Sequence, residues 1–287
     1  APPLADVPPV PPTAPPAPVP PVAPPAPVFP VPPMAAVPPL EIDVLFGGPC
    51  DDGIFAGDGF NVAFGNRGSD TIAADDGVNL LFGNAHDDVI SAGSGLSVAL
   101  GNLGDDVISG GADALGIYVL LGNRDKDDIT GGDGLTVAFG NRGDDAVRGG
   151  VGVGILFGNG GHDDIDGGDG LTEANGNRGA DTVGAGNGVA VLLGNQGADD
   201  VQCADVLCVA LGNLDPDLVS AGGIGLSALF GNAGEDRVTT GTGLGVAFGN
   251  DGDDIVRAGG GGALFALGNG GDDVLVGGPG VNVAFGN

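Results

Sequence analysis

The chain has 287 residues, of which 61 are Gly and 22 Pro, and its 38 acidic residues against 8 basic ones give a net charge of -30. So acidic a surface repels nucleic acid and anionic membrane surfaces and selects cations as partners. No apolar run approaches the roughly 18 residues that span a bilayer, because Gly, Asn, Asp or Pro interrupts each one, so no membrane insertion is expected.

The numbering opens on Ala1 without an initiator Met, which reads as removal of a leader on export. The exported chain is then expected to be soluble, in a secreted, extracellular or cell-surface setting. Residues 1–40 hold 19 of the 22 prolines, no glycine and one charge, Asp6. Such a segment predicts an extended polyproline II arm, serving either as a stalk or as a docking strand. The remaining residues, 41–287, form a second, Gly/Asn/Asp-rich domain.

Within that domain Gly-Asn, or Gly47-Gly48 at its start, recurs at Gly65, Gly83, Gly101, Gly122, Gly140, Gly158, Gly176, Gly194, Gly212, Gly231, Gly249, Gly268 and Gly286. The spacing is 18 residues except for 21 once and 19 twice. A period held this long predicts an all-β parallel solenoid of about thirteen coils. Counting each coil from its Gly as position 1, position 8 is Ile, Val or Leu throughout, from Ile54 to Leu275, and predicts an inward ladder. In the second half-coil apolar residues stand two apart, as in Phe60, Val62 and Phe64, and this side of the strand is expected to face the core.

Position 6 is aspartate in all thirteen coils: Asp52, Asp70, Asp88, Asp106, Asp127, Asp145, Asp163, Asp181, Asp199, Asp217, Asp236, Asp254 and Asp273. Coils stacked in register bring these carboxylates to about 4.8 Å spacing. There neighbouring charges repel by roughly 1 kcal/mol even at the dielectric of water, so something must neutralise the file.

The pattern Gly-Asn-x-Gly-x-Asp-x-Ile-x resembles the calcium-binding nonapeptide of the repeats-in-toxin (RTX) family, with Asn in place of the second Gly. The best matches are Gly65 to Ala73, Gly101 to Ser109, Gly140 to Arg148, Gly249 to Arg257 and Gly268 to Val276. The resemblance implies a β-roll in which turn carbonyls and the position-6 aspartates bind calcium between coils. Two departures bear on it. The second half-coil carries residues such as Ser97 and Thr136 where the family pattern has aspartate, so one edge at most binds metal. Position 4 is Cys50, His86, Asp125 or Asp215 instead of Gly in four coils, which questions those loops. A metal-free ladder of capping Asp and stacked Asn is the competing reading.

Other residues stand out singly. Glu173 and Asn175 occupy positions where other coils carry Val and Phe, and a register shift exposing Glu173 is expected. Cys203 and Cys208 either form a short disulfide or remain two buried thiols, leaving Cys50 alone. The two histidines, His86 and His162, and the absence of a nucleophile elbow, metalloprotease or phosphate-loop signature point away from an enzyme. The expected function is a secreted, calcium-stabilised structural rod. Its last strand, Val283-Ala284-Phe285, reads as uncapped, so head-to-tail self-association into an extracellular filament is expected, with the proline-rich arm contacting a neighbouring subunit. A tethered monomer acting as an adhesin or calcium-binding stalk is the alternative.

Overall fold

The computed structural model describes residues 41–204 and 207–286; the proline-rich arm lies outside the described residues. From residue 41 the chain winds as a parallel β-solenoid with no helix among the described residues. Each coil contributes one strand to each of two sheets, one of 14 strands from Ile42–Phe46 to Val281–Phe285 and one of 13 from Gly53–Ala56 to Val274–Val276. All neighbours within a sheet are sequential coils, paired in parallel: Ile54 faces Ile72, which faces Ile90, and Phe64 faces Phe82.

The three irregular spacings share one place. The extra residues fall between the short and long strands, at 110–116, 222–225 and 259–262, as the 21- and 19-residue offsets of the following strands show. The opposite turn, which carries the position-6 aspartates, keeps one length throughout. Insertions are therefore confined to one edge, and stacking at the other is undisturbed.

The core is a single thin layer between the sheets. Position 8 supplies one wall, Ile54 through Val256, buried as expected. The second wall differs from expectation. Phe60, Val62 and Phe64 point outward, while Asn61, Ala63 and Gly65 face in, and the same inversion holds in every coil. The reason is volume: two short walls close enough to exclude water have no room for Phe opposite Ile, so position 17, never larger than position 18 beside it, takes the inside. Position 17 then runs Ala63, Leu81, Ala99, Leu120, Ala138 and Leu156, small alternating with large, and it keeps alternating through Leu229. This two-coil rhythm lets each Leu spread over the Ala of its neighbours.

Most inward polar groups at position 15 bond locally, although Asn61 Oδ1 and the Tyr118 hydroxyl have no partner. Asn61 Nδ2 donates to Asn79 Oδ1 at 2.8 Å, Ser97 Oγ to the Ala92 carbonyl at 2.6 Å and Thr172 Oγ1 to the Gly167 carbonyl at 2.9 Å. Tyr118 takes the same position and is the largest fully buried side chain; its coil has the longest turn, at 110–116. In the coil beginning at Gly194, a disulfide joins Cys203 and Cys208 across the core edge with Cα atoms 5.9 Å apart. Cys50 is free and exposed.

The expected register shift at Glu173 does not occur. Glu173 pairs with Ile155 on one side and Val191 on the other, in step with every other coil. It is exposed because its whole column is outside, so no rearrangement is needed to keep its charge in water.

Candidate functional site

The aspartate edge is built by the turn Gly-Asn-x-Gly-x-Asp. Position 2 lies in the left-handed region in twelve coils, from Asn66 (φ 82°) to Asn269 (φ 81°), a conformation that Asn tolerates better than other side chains. Asn here keeps the backbone of a glycine and adds a ladder: Asn213 Nδ2 donates to Asn195 Oδ1 at 3.2 Å, Asn232 to Asn213 at 3.2 Å and Asn269 to Asn250 at 3.0 Å. Position 4 is also left-handed. His86 (φ 81°), Asp125 (φ 71°) and Asp215 (φ 73°) adopt it as the glycines do, so these three loops keep their shape.

The position-6 carboxylates are nearly inaccessible: Asp70 to Asp254 are 0–4% exposed. Their two oxygens differ in fate. Oδ1 of each accepts a hydrogen bond from the backbone N–H of the aspartate one coil earlier, 2.8 Å from Asp52 to Asp70, 2.7 Å from Asp70 to Asp88 and 3.1 Å from Asp254 to Asp273. The chain of twelve such bonds is unbroken, crossing the 21-residue coil from Asp106 to Asp127 at 3.0 Å. Oδ2 has no hydrogen-bond partner in twelve of the thirteen, Asp70 through Asp273; in the first coil Asp52 Oδ2 accepts from the Gly48 N–H.

Oδ2 sits against the position-1 glycine of its own coil. A Cβ on Gly140 would overlap Asp145 Oδ2, and one on Gly65 would meet both Asp70 Oδ2 and the Gly83 carbonyl of the next coil. Glycine is required here for space and not for a left-handed φ.

Electrostatics follow from this burial. Removal from water pushes the carboxyls of Asp88, Asp145 and Asp254 up to about 6, those of Asp106, Asp163 and Asp199 to about 7, and those of Asp127 and Asp217 to about 8. Asp70, Asp181 and Asp236 are raised for the same reason. The backbone bond to Oδ1 opposes the rise, and a neighbouring carboxylate, such as Asp106 beside Asp127, adds to it. The loops from Asp70 to Asp254 thus hold acids that ask for a proton or a cation.

The donor set fits calcium. An unpartnered, buried carboxylate oxygen and backbone carbonyls are the hard oxygens that this ion takes, six to eight at a time. Among the described residues no three His, Cys, Asp or Glu side chains converge on one point, so carbonyls of the turn must complete any such site. A second, interrupted set of acids lies outside the first at position 5, in seven of the thirteen coils. There Asp105 N–H donates to Asp87 Oδ1 at 3.0 Å, and His162 N–H to Asp144 Oδ1 at 2.8 Å. Position 6 is the site the repeat singles out; paired Asp-Asp in coils such as Asp105-Asp106 is the sequence signal for the position-5 acids.

The family model of the RTX calcium-binding nonapeptide repeat (4 copies) matches residues 42–63, 64–99, 98–114, 230–262 and 267–287. Among curated proteins none matches the chain. The matches fall on the first and last coils, and those between share the same turn, Asp ladder and register. RTX repeats of this kind bind calcium, and they are typical of secreted or extracellular proteins. The matched repeats and the parallel solenoid together fit an RTX-type β-roll.

Proposed function

We propose that this protein is an extracellular structural rod whose position-6 aspartates, with carbonyls of the same turns, hold a column of calcium ions. The observation that carries the reading is the unpartnered Oδ2 repeated in twelve consecutive coils. When bound, calcium supplies positive charge to a file of buried anions. The chain does the rest: the Asn ladder fixes the turn, position-1 glycine leaves room for the carboxylate, and the Oδ1 bonds tie each coil to the next. Calorimetric titration at pH 8 tests this, with about one ion per coil expected; a stoichiometry of one or two per chain would refute the column.

The finer part of the proposal is head-to-tail assembly. Ile42–Phe46 and Val281–Phe285 occupy the same positions of the repeat at the two ends of the 14-stranded sheet, so the ladders of one copy can continue in another. An open strand edge templates such pairing. The proline-rich arm would brace the junction. Electron microscopy of the full chain in calcium should show unbranched fibres. Monomers at high concentration would instead favour a tethered stalk or adhesin.

A further inference from the structure

The inverted second wall leaves a large apolar surface on the outside. Three columns of the 14-stranded sheet face solvent, running from Ile42 to Val281, from Val44 to Val283 and from Phe46 to Phe285. Their side chains are exposed or half-exposed along the whole rod. Every residue in them is apolar except Glu173 and Asn175. Parts of the third column are stacked rings, Phe64 on Phe82 at 4.8 Å and Phe139 on Phe157 at 5.0 Å between centroids.

Fourteen strands at about 4.8 Å make this face roughly 65 Å long, and five residues make it about 16 Å wide. That is about 1,000 Å² on one side. Contiguous apolar patches on monomers seldom exceed a few hundred Å². A specific interface needs about 800 Å² per partner.

We propose that this face packs against the same face of a second copy, sheet on sheet, giving a laterally paired rod. Three observations select a second copy over other occupants. The area matches a stable dimer. The columns on both faces have one spacing, set by the two-residue repeat along each strand, so columns of one copy seat between columns of the other at the usual distance of about 10 Å. The charge is also suitably placed: the acids of the rod lie on its two turn edges and on the opposite sheet, as with Asp87, Asp105, Asp133, Asp164 and Asp200. Two faces with one carboxylate each meet without burying the acidic edges. The remaining repulsion between two anionic rods is long-range and screened, so pairing should strengthen with salt.

Sedimentation equilibrium of the full chain tests the proposal. A species that saturates at twice the chain mass is expected, distinct from the mass growing with concentration that end-to-end fibres give. Val98→Asp with Val137→Asp, both outward and far from either end, should weaken pairing at least tenfold while leaving the melting temperature of the dilute protein in place. Glu173→Val should tighten it at least tenfold. A chain monomeric at about 100 µM would overturn the proposal, as would pairing indifferent to these substitutions. So would a monomer that binds neutral phosphatidylcholine vesicles through this face, which would assign it to lipid. A monomer whose face excludes an apolar dye would assign it to the chain's own arm.

Discussion

At the scale of the residue, the position-6 aspartate joins two requirements that conflict in plain water. Its Oδ1 is a structural acceptor between coils, and its Oδ2 is a buried anion without a partner. Protons and calcium are alternative solutions, and pH decides between them. The folded state raises eight of these acids from 3.8 to about 6–8, so it binds protons more tightly than the unfolded chain does. Stability from this source is fully present below pH 3.8 and is lost as pH rises through the window of 6 to 8. Without calcium, thermal melting should therefore fall between pH 5 and pH 8. Asp145→Asn keeps the amide acceptor and removes the charge, so at pH 8 without calcium the variant should melt no lower than the native chain and should gain less from calcium. Gly140→Ala should cost about 1–3 kcal/mol in denaturant unfolding, because the methyl meets Asp145 Oδ2 with no space to move into.

At the scale of the element, one turn edge is invariant and the other carries all the variation. The disulfide between Cys203 and Cys208 belongs to the variable edge, where the coil lacks a glycine turn. Closing so short a loop restricts the unfolded chain by about 2 kcal/mol, so Cys203→Ser with Cys208→Ser should lower unfolding free energy by about that amount. Inserting two glycines after Gly222 should be tolerated, whereas the same insertion after Asn141 should break both ladders. Circular dichroism of the two insertions would separate them. The coil length, the position-8 ladder and the aspartate file were legible in the sequence because each repeats a residue type at one spacing. The inward face of the longer strand was not, since alternation shows that the sides differ without saying which is inside. Hydrophobicity pointed to Phe60, Val62 and Phe64, and packing volume overruled it. The small-large rhythm of Ala63, Leu81, Ala99 and Leu120 was the available signal, for only a packed interior needs it. The fate of Glu173 followed from the same choice of face. At position 4 the sequence raised a doubt that Asp and His resolve by adopting the left-handed conformation themselves.

At the scale of the whole molecule, a solenoid adds stability coil by coil, so a small term per turn becomes large along the rod. Calcium that binds only the folded turn stabilises by mass action, about 2.7 kcal/mol per site at a hundredfold excess over its dissociation constant. A dozen sites acting together also relieve the self-repulsion of a chain with a net charge of -30. The most direct test is the melting temperature of the full chain at pH 8, measured in millimolar calcium and again in chelator. A column of filled sites predicts a rise of tens of degrees in calcium, shrinking toward pH 5 where protons already neutralise the file. Equal melting with and without calcium at pH 8 would contradict it and leave the aspartates as a metal-free hydrogen-bonded ladder.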